Sequence, residues 1–183
     1  MINPVQVTDF NRSKAELEEF LLFAILVAGK KSEQMAPKLA AFLEPAAHLS
    51  PLEYITHLGE KLEDQLRAIR IGQYDRISRC FRVLAERNLD LCNCTFEELE
   101  SIPGIGPKTA RFFMLHTRKD TVVAALDTHI LKFLRSLGYS APKQTPTGAK
   151  YRDLEAAFID VARSRNKTVA QLDIEVWTSY AAA

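Results

Sequence analysis

The middle of the chain combines, within one short stretch, a tight turn, a lysine and an aspartate. The turn Ile102-Pro103-Gly104-Ile105-Gly106-Pro107 is followed at once by Lys108, and Asp127 lies nineteen positions further on. A neutral lysine amine is a nucleophile, and a nearby carboxylate is able to accept its proton or stabilise a developing cation. These residue types predict covalent chemistry at an electrophilic carbon, beside a turn able to hold an anion.

The turn itself predicts a phosphate site. Pro103 fixes one backbone dihedral, while Gly104 and Gly106 adopt conformations that other residues resist. A turn of this kind before a helix presents backbone N–H groups that bind a phosphate together with the helix dipole. The alternative is a plain connector, but five consecutive constraints followed by Lys-Thr-Ala favour the anion site. We expect DNA phosphate contacts from these residues and from Ile105 and Thr109.

Lys108 and Asp127 each have a simpler alternative role. Lys108 lies in the first turn of a helix predicted over 107–116, where the helix-start potential and partial burial both favour the neutral amine. Its alternative role is a second phosphate contact. Asp127 alone would be an ordinary N-cap of the next helix. One helix and a return loop separate the two residues, so we expect Asp127 to face Lys108.

The charge of the chain excludes a global basic surface. The formal net charge is only +1, so a nucleic-acid site has to be a local patch of lysines and arginines. Lys30 and Lys31 form a basic elbow after the first helix, and Arg70 and Arg76 flank Gly72. The alternatives are a helix C-terminal cap for the lysines and a solvated face for the arginines. All four residues are candidate DNA contacts.

The cysteine count limits the cofactors that the chain could hold. Cys80, Cys92 and Cys94 are too few for an all-cysteine iron–sulfur cluster, and the C-x-C pair lacks the partners of a zinc site. We therefore expect no metal site and no cofactor, although a hairpin of this kind is compatible with a bound monovalent cation. Free thiols and the absence of a signal pattern predict a cytoplasmic protein, and the apolar run 20–28 is too short to span a bilayer.

Apolar residues recur at helical spacing along the chain, between capping residues, and predict an all-α fold with about ten helices. Capping boxes are expected at Ser13-x-x-Glu16, Thr95-x-x-Glu98 and Thr168-x-x-Gln171. The first helix is apolar on all faces and should be buried nearly all round. The predicted helices run from Ser13 to Ala28 and over 33–42, 52–58, 60–69, 73–86, 95–101, 107–116, 127–137, 150–164 and 168–180.

The stretch Ile102 to Ala110, followed by Leu126-Asp127-Thr128-His129-Ile130, resembles the helix-hairpin-helix DNA glycosylases of the endonuclease III superfamily. Three later motifs are similar to the small archaeal-type 8-oxoguanine glycosylase/lyases: Lys143-x-Thr145, Lys150-Tyr151 and Leu172-Asp173-x-x-x-Trp177. The resemblance covers roughly the C-terminal half of the chain by motif and the N-terminal half by pattern only.

The resemblance implies a single glycosylase unit over 1–183, made of two helical lobes with the active site in the cleft between them. The central lobe would span 32–117 and include the hairpin at 102–106, and the second lobe would combine 1–31 with 118–183. Lys108 would form a Schiff base at the sugar with help from Asp127, and Trp177 and His129 would line the base pocket. Core packing of the last helix is the alternative role for Trp177.

The implied activity is a DNA glycosylase and apurinic/apyrimidinic (AP) lyase, acting as a nucleoid-associated monomer on double-stranded DNA with a damaged base, 8-oxoguanine being favoured. Two departures bear on it. The iron–sulfur cysteines of endonuclease III are absent, which turns the resemblance toward the 8-oxoguanine group. The chain also ends in Ala181-Ala182-Ala183, where the small archaeal-type enzymes have a lysine. Two alternatives therefore stay open: a relative that modifies a DNA base without excising it, and a non-catalytic DNA-binding module.

Overall fold

The computed structural model describes residues 2–4, 6–46 and 48–181, so the alanine end at 182–183 lies outside the described residues. In this part of the chain the structure contains no strand, and the all-α prediction is confirmed. Short 3-10 turns occupy Glu44–Ala46 and Gly59–Lys61. The α-helices are α1 (Lys14–Leu26), α2 (Ser32–Leu43), α3 (Pro51–Leu58), α4 (Leu62–Ala68), α5 (Tyr74–Arg87), α6 (Phe96–Glu100), α7 (Pro107–Thr117), α8 (Thr128–Ser136), α9 (Gly148–Ser164) and α10 (Val169–Ala181).

The capping boxes predicted from the sequence are present at the starts of α1, α6 and α10. In each, the Ser or Thr hydroxyl accepts a hydrogen bond from the backbone N–H three residues later, at 3.2 to 3.4 Å. The acid or amide at that later position accepts one from the cap's own N–H, at 2.7 to 2.9 Å. These reciprocal bonds satisfy N–H groups that a helix start otherwise leaves without a partner.

Two helix starts differ from the sequence prediction. The helix predicted over 33–42 begins one residue earlier, at Ser32, and Lys31 occupies the cap position without a side-chain hydrogen bond. Gln73 was expected inside α5, but it precedes the helix in a left-handed conformation with φ +54°. Both differences follow from the loops before the helices, whose backbone course depends on contacts distant in sequence.

The chain groups into two compact units, Met1–Gly106 and Pro107–Ala183. In the N-terminal unit, α1 packs against α2, α3 and α5. Its burial on nearly all sides is confirmed, since the side chains of 20–26 are at most 1% exposed. The division into lobes over 32–117 and over 1–31 plus 118–183 stays a prediction.

The C-terminal unit is organised around α10, which packs against α7, α8 and α9. Its core is apolar, with Phe113, Leu134, Phe158 and Leu172 fully buried. The segment Thr121–Leu126 between α7 and α8 is irregular and mostly buried, and it leads directly into Asp127. None of the helices in the described residues is long and apolar enough to cross a membrane.

A buried carboxylate ties α1 to α3. Glu18 is 1% exposed, and its Oε2 accepts a hydrogen bond of 3.0 Å from the backbone N–H of Leu52 in the first turn of α3. The ammonium of Lys14 lies 3.9 Å from the other carboxylate oxygen. A residue of one helix thus satisfies an N–H at the start of another, which fixes how α1 and α3 pack.

We expect Glu18→Ala to lower the free energy of unfolding by about 1–3 kcal/mol, because it leaves the buried Leu52 N–H without an acceptor. Glu18→Gln keeps an acceptor oxygen and should lose less. Urea unfolding followed by circular dichroism measures both, with the exposed Glu86→Ala of α5 as control. Equal stability of Glu18→Ala and Glu86→Ala would contradict the assigned role.

Candidate active site

The turn before α7 has the geometry that its sequence predicts. The backbone N–H of Ile105 donates to the carbonyl of Ile102 at 3.0 Å. Pro103 occupies the second position and Gly104 the third, with φ +98°, as in a type II turn. Ile102 and Ile105 are buried, whereas Gly104 and Gly106 are exposed. Two apolar anchors therefore hold an exposed glycine backbone in a defined conformation.

Gly104 rests directly on α5. A Cβ added at Gly104 would lie 3.2 Å from Cβ and 3.4 Å from Sγ of Cys80. Arg76, one turn earlier on α5, donates from Nη1 to the Gly104 carbonyl at 3.3 Å. Burial raises the pKa of the Cys80 thiol to about 12, although Arg76 acts in the opposite direction. Cys80 is therefore a protonated spacer beneath the turn and not a nucleophile.

Two of the four basic residues predicted to contact DNA, Lys30 and Arg76, donate hydrogen bonds within the N-terminal unit. Arg76 also donates to the Gln73 side chain at 2.8 Å and to the Ile25 carbonyl at 3.4 Å. Lys30 donates to the carbonyl of Ile71 at 2.7 Å, and burial, then the charges of Arg76 and Lys38, lower its pKa. Arg76 thus stabilises the turn at 102–105, and Lys30 stabilises the loop at 70–73, each by a hydrogen bond to a backbone carbonyl.

The loop held by these cations contains unusual backbone conformations. Arg70 and Gln73 have φ of +53° and +54°, a region that non-glycine residues rarely adopt. Lys38 donates to the Arg70 carbonyl at 2.5 Å. The side chains of Arg70 and Lys31 are exposed. These two, rather than Lys30 and Arg76, have side chains turned toward solvent, and all four DNA contacts stay predictions.

Helix α7 aligns three side chains at intervals of four residues. The Nζ of Lys108 lies 4.5 Å from the ring centroid of Phe112, and Phe112 meets the His116 ring edge-on at 4.8 Å. Lys108 and Phe112 are half-buried, and His116 is 0% exposed. Because residues i and i+4 share a helix face, the row runs from the unit's surface into its interior.

Asp127 is confirmed as the N-cap of α8. Its Oδ1 accepts a hydrogen bond of 2.8 Å from the backbone N–H of Ile130. Burial is the largest influence on its carboxyl group and raises its pKa; Asp173 acts in the same direction. The charge of Lys108, the Ile130 hydrogen bond and His129 act in the opposite direction. The charge of Lys108 therefore acts on the Asp127 carboxyl group, and their joint role in a reaction stays a prediction.

A second acidic group completes the surroundings of Asp127. Asp173 of α10 is buried, and its Oδ2 lies 3.2 Å from Nε2 of the buried His116. An imidazole that donates to a buried carboxylate satisfies both groups. Trp177, one turn later on α10, is half-buried, and its place in a base pocket stays a prediction.

Phe112, His116 and Asp173 lie in the surroundings of Lys108 and Asp127, although none of them was predicted as a site residue from the sequence. Phe112 and His116 follow Lys108 at helical spacing, so this periodicity was a signal available in the sequence. The approach of Asp173 to His116 and Asp127 had no such signal, since it depends on how α10 packs. Thr109 is only 5% exposed, so a DNA contact there would come from its backbone rather than its hydroxyl. Among the described residues no group of three or more His, Cys, Asp or Glu could hold a metal ion.

Comparisons with known proteins agree with this geometry. A family model described as the helix-hairpin-helix motif matches residues 91–114. The endonuclease III of Treponema pallidum is 31% identical over 136 residues, which is 73% of this chain. This chain spans 63% of the length of that relative.

Two solved structures have the same fold. The 8-oxoguanine glycosylase/lyase of Methanocaldococcus jannaschii, in complex with a 15mer DNA containing 8-oxoguanine, matches 97% of this chain and 88% of its own, with a TM-score of 0.74 and 23% identity. Another structure of that organism's 8-oxoguanine DNA glycosylase gives a TM-score of 0.71 and 24% identity, over 97% of this chain and 84% of its own. The chain thus contains a helix-hairpin-helix motif, is similar in sequence to endonuclease III and has the fold of these glycosylases.

We expect Gly104→Ala to lower the free energy of unfolding by about 1–3 kcal/mol, because an L side chain at φ +98° is strained and its Cβ meets Cys80. Gly106→Ala is the matched control, since a Cβ there meets no atom within 4 Å and φ is not in the left-handed range. Thermal unfolding measures both. Equal losses of stability in the two variants would contradict the claim that the positive φ and the contact with Cys80 make a side chain at position 104 costly.

Asp127→Asn should become more stable than the wild type as the pH rises from about 4 to 7. The raised pKa means that the folded protein holds the Asp127 proton more tightly than the unfolded chain does. Ionisation above the unfolded value of about 3.9 therefore removes stability from the wild type, and asparagine still caps the helix. Urea unfolding at both pH values measures the difference; a wild type that gains stability over the variant with rising pH would contradict the burial argument.

Proposed function

We propose that this chain is a DNA glycosylase with AP lyase activity, which excises a damaged base and then nicks the strand. The observation that carries the proposal is that the charge of the half-buried Lys108 acts on the Asp127 carboxyl group, whose pKa burial raises. A module that only bound DNA would need neither a half-buried carboxylate with a raised pKa nor a lysine at the positive end of a helix. The similarity to endonuclease III and the fold of the glycosylase/lyases support the same chemistry.

In the proposed reaction, Asp127 accepts a proton from the Lys108 ammonium, and the neutral amine attacks C1′ of the target nucleotide. The C1′–N bond to the base breaks, and the base leaves with that electron pair and takes up a proton. Opening of the sugar ring gives a Schiff base between Lys108 and C1′. Loss of a proton from C2′ then expels the 3′ phosphate by β-elimination. A carboxylate with a raised pKa suits this first step, because it is a stronger proton acceptor than an ordinary aspartate.

The proposed substrate is double-stranded DNA with a damaged nucleotide flipped out of the helix. Backbone N–H groups of the turn at 102–106 would bind a phosphate, and Lys31 and Arg70 would add exposed positive charge. We place 8-oxoguanine first among the bases, because the structural relative was solved with DNA containing it. His129 and Trp177 would line the pocket for the base, with Trp177 stacking on it.

We further propose that the protein acts as a monomer, at the nucleoid, without a metal or other cofactor in the reaction. The lysine and the carboxylate supply the nucleophile and the base that the steps above require. A monovalent cation at the turn would serve DNA binding and not the chemistry.

A panel of duplexes, each with one damaged base, tests the function. Base release together with a borohydride-trapped adduct on the 8-oxoguanine duplex is the expected result. Damaged strands that retain an intact but altered nucleotide would instead favour base modification. Equal binding of damaged and undamaged duplexes without cleavage of any would favour a binding module.

Lys108→Gln should abolish the borohydride-trapped adduct and lower the single-turnover excision rate at least about 100-fold, because glutamine supplies no nucleophile. Asp127→Asn should lower the rate by about 10²–10⁴-fold, since it removes the proton acceptor. Gel analysis of end-labelled duplex, with and without borohydride, measures both effects.

The matched control is Lys119→Gln, which removes one exposed lysine just beyond α7. Its excision rate and adduct yield should equal those of the wild type. Wild-type trapping by the Lys108→Gln protein would contradict the assignment of the nucleophile.

A further inference from the structure

The segment at 121–126, which leads directly into Asp127, has no regular secondary structure. Residues 124–126 are at most 2% exposed, so their backbone N–H and C=O groups need partners within the protein. The Tyr151 hydroxyl donates to the Ala124 carbonyl at 2.8 Å and accepts from the Leu126 N–H at 3.1 Å. Tyr151 thus holds two backbone groups with one oxygen atom.

Two further side chains complete this set. Oε1 of Glu155 accepts a hydrogen bond of 3.1 Å from the Ala124 N–H. The Thr145 hydroxyl donates to the Leu126 carbonyl at 2.8 Å. Both backbone polar groups of Ala124 and both of Leu126 are therefore bound by side chains from the region 145–155. Side chains here do what a neighbouring strand would do in a sheet.

The same face of α9 also holds the helix that carries Lys108. Arg111 lies one turn after Lys108 on α7, and its Nε donates to Oε1 of Glu155 at 2.8 Å. The Arg111 guanidinium lies 4.6 Å from the ring centroid of Tyr151. Tyr151 and Glu155 are four residues apart, so they share a helix face. One pair of side chains thus contacts both the lysine-bearing helix and the segment that ends at Asp127.

We propose that Tyr151 and Glu155 are positioning residues, which set the distance and orientation of the Asp127 carboxylate relative to the Lys108 amine. Neither residue reacts; they act through Arg111 on one side and through residues 124–126 on the other. This inference rests on the proposed function for its catalytic consequence, but not for its geometry. Proton transfer and nucleophilic attack depend steeply on distance, so a displacement of about 1 Å lowers a rate by roughly 100-fold.

The first test is Tyr151→Phe, which keeps the ring against Arg111 and removes only the hydroxyl. The single-turnover excision rate on 8-oxoguanine duplex should fall about 10–100-fold, while the dissociation constant for the same duplex stays within about twofold. Glu155→Gln keeps an oxygen acceptor for the Ala124 N–H and should lose less activity than Glu155→Ala.

Val161→Ala is the control for a loss of stability alone, because it removes buried methyl groups elsewhere on α9. It should lower the melting temperature without lowering the excision rate at a temperature where all variants are folded. A Tyr151→Phe protein that excises as fast as the wild type, or no slower than Val161→Ala, would overturn the proposal.

A second measurement does not depend on activity. Carbon-13 NMR titration gives the pKa of Asp127 with and without Lys108→Gln, and the difference reports the coupling between the two residues. Asp173 and His129 also act on Asp127 and are unchanged within each pair. We expect the coupling to shrink in the Tyr151→Phe background; an unchanged coupling would overturn the proposal. A wild type that excises no base would refute the proposed function alone, and the NMR result would still decide the positioning role.

Discussion

The structure depends on a carboxylate that is held where water cannot fully solvate it. Asp127 caps α8 through the Ile130 N–H, and burial raises the pKa of its carboxyl group. An ionised group in such a place destabilises the fold unless opposite charge and hydrogen bonds compensate. Lys108 is the compensating charge, and the rest of the C-terminal unit keeps the two residues near each other. Groups whose pKa is shifted at a cost to folding stability are typical of active sites, because the same environment makes the group reactive.

In the N-terminal unit, positively charged side chains stabilise unusual backbone conformations. Its loop at 70–73 contains left-handed residues other than glycine, and its turn at 102–105 presents an exposed glycine backbone. Lys30, Lys38 and Arg76 donate to carbonyl oxygens of these two segments, so the cations fix backbone conformation. The N–H groups of Ile102 and Ile105 are bonded within the unit, so an anion would be bound through those of Gly104 and Gly106. In the proposed function, this arrangement would let a chain with a net charge of +1 bind DNA.

Features that depend on residues adjacent in the chain could be predicted from the sequence. The capping boxes, the tight turn at Pro103-Gly104 and the cap at Asp127 each follow from short-range backbone chemistry. No local pattern indicated that Arg76 and Lys30 would point into their own unit, or that His116 would meet Asp173 across 57 positions. Tyr151 was visible as part of a motif, but its bonds to Ala124 and Leu126 arise only when α9 packs beside that segment. These contacts are set by tertiary packing, which a local pattern does not encode.

The most direct test of the central claim is to identify the residue that becomes attached to DNA. Borohydride-trapped protein would be digested with trypsin and examined by mass spectrometry. Modification of Lys108 blocks cleavage after it, so the account predicts a single DNA-bearing peptide that runs from Asn88 to Arg111. A DNA remnant on a peptide that contains another lysine, with cleavage after Lys108 intact, would contradict the account.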